Sequence, residues 1–319
     1  MAGLALMEII SPGLLTTVQD LGRFGFGRYG VAPSGALDAF ALRIGNLLVG
    51  NTEDQAGIET TLLGLRIRAL TDSVIAVTGA DLQPQHNKRP LAMWCAHSLR
   101  KDDELAFRGP VSGCRAYITV KGGLDVLPIL GSRSTNLSSA FGGFEGRPLQ
   151  TGDILRSAVA YTHAEQPGRK FHPDLIPVYP NEWVLRVLWG PQDDHFSRAG
   201  RQAFRHSIYR VSPQSDRTGI RLEGPRIERK PHTDESIISE GLISGAIQVP
   251  GDGQPIIILG ETVTGGYRKI ATVIAADLSV LGQIKPGDAI RFEAVSIEEA
   301  HQALRAREAL IARFKTSLT

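Results

Sequence analysis

Residues 16–38 read Thr16-Thr-Val-Gln-Asp-Leu-Gly-Arg-Phe-Gly-Phe-Gly-Arg-Tyr-Gly-Val-Ala-Pro-Ser-Gly-Ala-Leu-Asp38, and this stretch decides how the fold is interpreted. It contains a formal GxGxxG pattern at Gly25–Gly30. A dinucleotide fingerprint needs a helix that opens at its last glycine and an acidic residue about 20 positions later. Here Val31-Ala-Pro33 intervenes, and Gly50 stands at that distance. The pattern is therefore accidental, and no Rossmann-type site is predicted.

Short apolar runs around this stretch predict a β-rich protein. They are bounded by turn residues and are rich in β-branched and aromatic residues, as strands are. The predicted strands are Leu14–Val18, Ser73–Val77, Arg115–Val120, Glu182–Trp189, Pro255–Leu259 and Ala289–Phe292. The predicted fold class is mainly β with a few helices, and not a βαβ alternation.

Three helices are predicted among the strands. The first follows Ser34 as its N-cap and ends at Gly50. The second begins after Pro191, and the third opens with Ser296 and Glu299 in capping-box spacing.

The composition is that of an ordinary globular protein. Of 319 residues, 42% are hydrophobic and 21% are charged, and the net charge of +2 gives no argument for nucleic-acid or membrane binding. The length predicts about two domains of roughly 150 residues each. We place them at 1–165 and 176–319, because the stretch Tyr161–Pro180 is polar, contains proline and has no clear period.

Cysteine usage and the N-terminus bear on the compartment. Cys95 and Cys114 are too few for a disulfide framework, so reduced core thiols are expected, with one bridge between them as the alternative. The N-terminus lacks the basic segment of a signal peptide, and no run approaches the ~18 apolar residues that span a bilayer. We expect a cytoplasmic protein.

The glycine-dense loop within residues 16–38 is the first candidate site. Its polar residues are Gln19, Asp20, Arg23, Arg28, Ser34 and Asp38. Glycines let backbone N–H groups approach an anion, and arginine can bind a carboxylate or phosphate with two bonds. The positive end of the helix predicted after Ser34 points toward the same region. The alternative, equally open at this point, is a structural β-loop whose arginines sit in water.

Two later segments carry similar residues. Ser132-Arg133-Ser134 follows an apolar strand and suits a carboxylate- or phosphate-binding turn, or else a hydrogen-bonded turn with a surface arginine. The third segment extends to Lys269, and its candidates are Arg217, Glu240, Gln248, Thr264, Gly265, Gly266 and Tyr267. Taken singly, each of these is more typical of a turn or a solvated face.

Several signatures of catalysis are missing from the sequence. It has no Walker A phosphate loop, no HExxH and no Gly-x-Ser-x-Gly elbow. Asp193-Asp-His195 is a weak metal pattern, so no metal site is predicted. None of the three methionines adjoins a lysine, so the chain has no Met-Lys-Met biotin-attachment segment. Biotin, if involved, must be carried by another polypeptide.

Taken in order, these segments resemble the KipA family, which includes components of bacterial 5-oxoprolinases and carboxyltransferase-type subunits. The resemblance extends from about Leu6 to Phe292. It is carried by Thr17–Asp38, Gly131–Thr135, Ser215–Arg217 and Gly245–Pro255, followed by Thr264–Tyr267. The architecture that it implies is cyclophilin-like β-barrel lobes.

The resemblance implies an enzyme subunit that is active only with partners. The reaction would be ATP-dependent opening of 5-oxoproline to glutamate, with a KipI-type subunit, a LamB/YcsF-type subunit and ATP shared with the partner. On this hypothesis Arg23, Arg133 and Arg217 hold carboxylate or phosphate, and Asp20 or Asp38 orients the amide or acts as a base.

Two other functions stay open at this level. Homologous regions of urea carboxylase imply biotin-dependent carboxyl transfer to urea or another amide, and the family name implies a regulator that binds a KipI-type kinase inhibitor. The sequence also departs from the family pattern. Gly260-Glu-Thr-Val263 stands where an aspartate and a glutamine are usual, and Arg268 stands where a proline is usual. These departures affect the exact substrate.

Overall fold

The computed structural model describes residues 3–157, 168–234 and 236–318. The strands are β1 (Leu4–Pro12), β2 (Leu15–Gln19), β3 (Gly57–Thr61), β4 (Leu65–Ala69), β5 (Ser73–Asp81), β6 (Pro84–His86), β7 (Arg89–Pro90), β8 (Ala96–Leu99), β9 (Glu104–Phe107), β10 (Ser112–Val120), β11 (Ile154–Ser157), β12 (Glu182–Trp189), β13 (Tyr209–Val211), β14 (Gly219–Glu223), β15 (Glu240–Gly241), β16 (Ala246–Val249), β17 (Ile256–Ile258), β18 (Thr264–Gly265), β19 (Arg268–Val273) and β20 (Ala289–Ala294). The α-helices are α1 (Ala39–Leu48), α2 (Arg198–His206) and α3 (Ile297–Ser317), and 3-10 helices lie at Gly27–Tyr29, Pro173–Leu175, Asp193–His195 and Ala275–Gln283. The mainly β fold with a few helices is confirmed, and each of the six predicted strands is present.

Contacts divide the chain into two compact units. The first comprises Met1–Arg23, Ser34–Tyr179 and Ile311–Thr319, and the second comprises Phe24–Pro33 and Pro180–Leu310. The proposed division into domains 1–165 and 176–319 stays a prediction. Of its predicted boundary stretch, residues 161–167 lie outside the described residues.

The strands of the first unit belong to two sheets, one with the order β11-β1-β4-β9-β6-β7 and one with the order β2-β3-β10-β5-β8. The chain changes sheet at Gly13, between β1 and β2, and at Gly64, between β3 and β4; their φ angles are +67° and +92°. A Cβ on Gly13 would lie 2.4 Å from the Leu63 carbonyl oxygen. Only glycine tolerates both this φ and this approach. The described strands of this unit thus form two sheets where the resemblance implied a single barrel lobe.

Both sheets bury their apolar faces in one core. It contains, among others, Met7, Ile9, Val18, Ile58, Ile67, Val77 and Ile118. Helix α1 packs on β5 and β10, where Thr78 Oγ1 donates to the Ala41 carbonyl oxygen at 2.7 Å. This packing fixes the start of α1 and the loop that leads into it.

The second unit contains a closed barrel with the strand order β12-β19-β16-β17-β14-β13-β20. Strand β12 pairs with β20 in parallel and with β19 antiparallel. Outside the barrel, Phe204 of α2 stacks on Phe292 of β20 with ring centroids 4.4 Å apart. The barrel implied by the resemblance is confirmed in this unit, which also holds a two-stranded sheet of β15 and β18.

The helix starts test the predicted caps. In α3 the capping box is confirmed, since Ser296 N donates to Glu299 Oε2 at 2.7 Å and Glu299 N donates to Ser296 Oγ at 3.2 Å. In α2 the cap is Ser197, whose Oγ accepts from Gly200 N at 2.9 Å.

The predicted start of the first helix is wrong. Helix α1 begins at Ala39, and Asp38 Oδ1 caps it by accepting from Ala41 N at 2.9 Å. The N–H groups of Ala36 and Leu37 donate instead to the Asp20 carbonyl oxygen and to Glu59 Oε2, at 2.8 and 3.0 Å. Because these donors are taken up elsewhere, the chain stays non-helical until Asp38.

Two simpler expectations concern the cysteines and the membrane. Cys95 and Cys114 are buried and reduced, as predicted. Within the described residues, no helix has the length and apolar character needed to cross a bilayer.

Candidate functional site

Asp20 organises the Ser132–Ser134 turn in the first unit. Its Oδ1 accepts from Ser132 Oγ at 2.6 Å and from Ser134 Oγ at 2.5 Å, and its Oδ2 accepts from Arg133 N at 2.5 Å. The carboxylate also accepts from Gly22 N at 2.8 Å. The structure therefore brings the first and second sequence segments together around one buried carboxylate. Its role as a base stays a prediction, and its observed task is to hold this turn.

Arg23 lies beneath the same turn and is almost fully buried. One of its terminal nitrogens donates to the Ser134 carbonyl oxygen, and its guanidinium lies 4.7 Å from the centre of the Phe141 ring. This contact with an aromatic face stabilises a desolvated cation. Arg28 of the same glycine-dense loop is exposed and lies over Tyr29, 4.7 Å from the ring centre. The interpretation as arginines in water thus fits Arg28 and not Arg23.

Gln19 links three parts of this region. Its Nε2 donates to Thr17 Oγ1 at 3.0 Å and to the Thr135 carbonyl oxygen at 3.2 Å, and its Oε1 accepts from Gly35 N at 3.2 Å. Because these bonds occupy both ends of the amide, Gln19 holds the loop at Ser34-Gly35 close to Thr135.

Ser34 is the candidate with an unused hydroxyl. It is 8% exposed, and its Oγ has no hydrogen-bond partner among residues 3–157, 168–234 and 236–318. Its φ of +54° is in the left-handed region, which costs energy for a side chain other than glycine. Strained backbone and an unpaired buried donor together are typical of a residue that binds something outside the chain.

Asp38 belongs to a second buried network. Besides capping α1, it accepts from Tyr179 Oη at 3.0 Å through Oδ2, and its N–H donates to Tyr117 Oη at 2.8 Å. Tyr117 Oη donates in turn to Glu59 Oε2 at 2.7 Å. Burial, together with the negative charges of Glu59 and Asp38, raises the pKa of Tyr117 well above its ordinary value. Tyr117 therefore stays a neutral donor.

Glu59 was missed by the sequence reasoning. It stands in β3, all of whose residues are buried, and Arg115 Nε lies 3.7 Å from its Oε1. A charged residue inside a strand that is otherwise flanked by apolar ones was the available signal.

Arg133 uses its side chain within the protein as well. Its Nε donates to the Val126 carbonyl oxygen at 3.0 Å, and the side chain is only partly buried.

In the second unit, the Thr264–Tyr267 segment lies beside Glu240 and Gln248. Strand β18 pairs with β15, so Gly265 stands opposite Glu240 and Thr264 opposite Gly241. Gln248 Nε2 donates to the Tyr267 carbonyl oxygen at 3.1 Å. A Cβ on Gly265 would lie 2.6 Å from that Nε2, so the glycine leaves room for the amide.

Tyr267 and Gly266 lie at the edges of this group. Tyr267 is partly exposed and lines a cleft of about 390 Å³ together with Arg221, Glu223 and Gln254. A Cβ on Gly266 would lie 3.1 Å from the Ile237 carbonyl oxygen, so the backbone passes closely here.

Lys269 and Gln192 complete the cluster, and the sequence reasoning assigned neither to the site. Lys269 Nζ and Gln192 Nε2 both donate to Glu240 Oε1, the second at 2.7 Å. The bond from Lys269 lowers the pKa of Glu240 and outweighs the opposing effect of burial. Glu240 is therefore an ionised acceptor.

The departures from the family pattern make specific contacts. Arg217 Nε lies 3.3 Å from Glu261 Oε1, and both side chains are buried. Arg268 Nε donates to His195 Nδ1 at 2.9 Å, and its guanidinium also donates to the Asp234 carbonyl oxygen. Glu261 thus balances the charge of Arg217, which the sequence hypothesis assigned to an external anion.

The structure assembles the predicted residues in separate groups. In the first unit, Gln19, Asp20 and Arg23 meet Ser132, Arg133 and Ser134, while Asp38 joins Glu59 and Tyr117. In the second unit, Glu240 and Gln248 meet Thr264, Gly265, Gly266 and Tyr267, while Arg217 pairs with Glu261. Each group is a buried or half-buried array of polar side chains, which suits binding and orienting a small polar molecule.

Comparisons with known proteins bear on what these groups do. Residues 29–294 match the family described as carboxyltransferase domain, subdomain A and B. The chain is 40% identical to a 5-oxoprolinase subunit of Escherichia coli (strain K12) over 306 residues, which are 93% of this chain and 94% of the relative. It is 35% identical to the 5-oxoprolinase subunit of the same name in Haemophilus influenzae over 304 residues, which are 95% of this chain and 96% of the relative.

A solved structure extends the comparison. The K. lactis urea amidolyase matches with a TM-score of 0.90 at 32% identity, over 98% of this chain and 20% of that chain. The resemblance inferred from the ordered motifs is confirmed by these matches. The chain belongs to the carboxyltransferase domain family of subdomains A and B.

Proposed function

We propose that the chain is a subunit of an ATP-dependent 5-oxoprolinase, an amide hydrolase that opens the lactam of 5-oxoproline to give glutamate. The observation that carries this proposal is the match, over 93% of this chain and 94% of the relative, to a protein named as a 5-oxoprolinase subunit. A match that spans both chains supports a shared role better than a match to one region of a long protein.

The lactam needs activation because amide resonance stabilises its C–N bond. Phosphorylation of the carbonyl oxygen by ATP would supply it. The buried donors described above would orient the substrate and stabilise charge without reorganising during the reaction. Ser34 Oγ is suited to bind a substrate oxygen, because it is buried and has no partner within the described ranges.

Nucleotide contacts are proposed to come mainly from a partner. Arg23, Arg133 and Arg217 bond to protein groups, whereas a triphosphate requires several cationic donors. We propose a KipI-type subunit as the partner that shares ATP, a LamB/YcsF-type subunit as the third component, and the cytoplasm as the compartment.

Biotin-dependent carboxyl transfer to urea or another amide is the second candidate. The TM-score of 0.90 to urea amidolyase favours it. Because this chain spans 20% of that protein, the biotin and its carrier would have to come from other polypeptides.

Reconstitution separates the two candidates. The chain is co-expressed with the KipI-type and LamB/YcsF-type proteins, and glutamate release from 5-oxoproline is measured with and without ATP. ATP-dependent release that disappears when this chain is omitted supports the oxoprolinase. If ATP and 5-oxoproline give no glutamate, while a biotinylated carrier and bicarbonate carboxylate urea, the second candidate replaces it.

A further inference from the structure

A carboxylate is held by two donors in the second unit, and that carboxylate belongs to the protein itself. Lys269 Nζ and Gln192 Nε2 converge on Glu240 Oε1. Gln192 is fixed in this orientation because its own Oε1 accepts from Lys269 N at 3.0 Å. An ammonium and an amide N–H that meet at one point form a donor set for a carboxylate.

The donors are held more firmly than the acceptor. The Lys269 side chain is 10% exposed, whereas that of Glu240 is 41% exposed. Lys269 stands in β19, between β12 and β16 of the closed barrel, but Glu240 stands in the two-stranded sheet of β15 and β18. A buried ammonium requires an anion, because desolvated charge without a partner is costly. A half-exposed carboxylate, by contrast, can return to water, so the acceptor is the exchangeable member.

We propose that Lys269 and Gln192 form a binding site for a small carboxylate ligand, and that Glu240 occupies this site as an internal ligand until the external one displaces it. Gly265, opposite Glu240 in the two-stranded sheet, has no side chain to block the approach. The identity of the ligand rests on the proposed function: 5-oxoproline carries a carboxylate, whereas urea carries none. The site thus selects between the two candidate substrates.

Acetate, titrated into the ¹⁵N-labelled full chain, tests the site without any turnover. The readout is the NMR shift of the Gln192 side-chain amide, assigned by its disappearance in Gln192→Leu, with chloride at equal ionic strength as the reference. We expect Glu240→Gln to bind acetate about 5-fold more tightly than wild type, since the competing carboxylate is gone. Lys269→Met should bind it roughly 10- to 100-fold more weakly. Glu182→Gln, an exposed change on β12, should match wild type.

Equal acetate affinities in wild type and Glu240→Gln would overturn the proposal, and this arm stands even if Lys269→Met fails to fold. In the assembled enzyme, Glu240→Gln should lower the KM for 5-oxoproline and leave the KM for its neutral carboxamide unchanged. If wild type releases no glutamate, the proposed function fails, while the acetate titration still decides whether the carboxylate site exists.

Discussion

Arg23 and Arg28 belong to one glycine-dense loop but make different contacts. Arg23 is buried on Phe141 and donates to Ser134, whereas Arg28 is exposed. We expect Arg23→Ala to lower the free energy of unfolding by about 2–4 kcal/mol, because it leaves a cavity and an unpaired buried carbonyl. Arg28→Ala should change it by no more than about 0.5 kcal/mol. Urea unfolding of the two variants makes this comparison.

The result also decides what Arg23 does. If Arg23→Ala unfolds at the wild-type urea concentration but has lost turnover, the arginine acts on the ligand and its burial contributes little to stability. Loss of stability, with activity retained in the remaining folded fraction, would make its role structural.

Ser34 combines a strained backbone with an unused hydroxyl. Ser34→Ala removes a buried hydroxyl that has no partner in the described residues, so stability should stay within about 0.5 kcal/mol of wild type or rise. If Oγ binds substrate, turnover should fall about 10-fold, since a net hydrogen bond contributes about 1 kcal/mol.

Ser34→Gly is the matched variant. It also lacks the hydroxyl, but it adopts the φ of +54° without strain. Both variants should therefore lose the same activity, while the glycine variant melts at a higher temperature. Full activity in Ser34→Gly would show that the backbone and not Oγ matters, and would remove the hydroxyl from the site.

The turn that leads into β11 should make stability depend on pH. Arg147 donates to both Asp153 oxygens, at 2.7 and 2.9 Å. Burial alone would raise the pKa of Asp153, but the bonds from Arg147 and from Gln150 N outweigh it and lower the pKa. The carboxylate therefore stabilises the fold above its unfolded pKa of about 3.9, and this contribution is lost as the pH falls through the lower folded value.

Asp153→Asn should consequently flatten the loss of stability between pH 6 and pH 3, as measured by urea unfolding at both values. Asp234→Asn is the control, because that exposed carboxylate makes no hydrogen bond with the described residues. If both variants lose stability as steeply as wild type, the Arg147–Asp153 pair does not cause the acid sensitivity.

Individual elements differ in how far the sequence predicted them. Strand Glu182–Trp189 was predicted with its observed bounds, because alternating apolar and polar residues end at a clear glycine-proline turn. The start of α1 was not predicted, because the Ala36 and Leu37 N–H groups are taken by Asp20 and Glu59, which are distant in sequence. Local pattern therefore predicts an element until a long-range hydrogen bond takes its donors.

For the molecule as a whole, the sequence identified the polar residues of the candidate site better than their roles. Asp20 and the Ser132–Ser134 turn do meet, as expected of motifs that serve one site. Glu261 and Lys269 went unassigned, although they set the charge around Arg217 and Glu240. A sequence shows which side chains are charged, but only the packed structure shows which charges neutralise each other.

The extent of the matches leads to a prediction about assembly. The chain spans 94% of a protein named as one subunit of 5-oxoprolinase, but 20% of a urea amidolyase chain that carries its other regions covalently. We therefore expect the purified chain to release no glutamate alone, to carry no covalent biotin by intact-mass measurement, and to co-elute with a KipI-type subunit in size-exclusion chromatography. Turnover should appear only in the mixture, because the predicted arginines are already bonded to protein groups and the nucleotide needs further donors. Separate elution of the two proteins, or ATP-dependent glutamate release by this chain alone, would contradict the prediction.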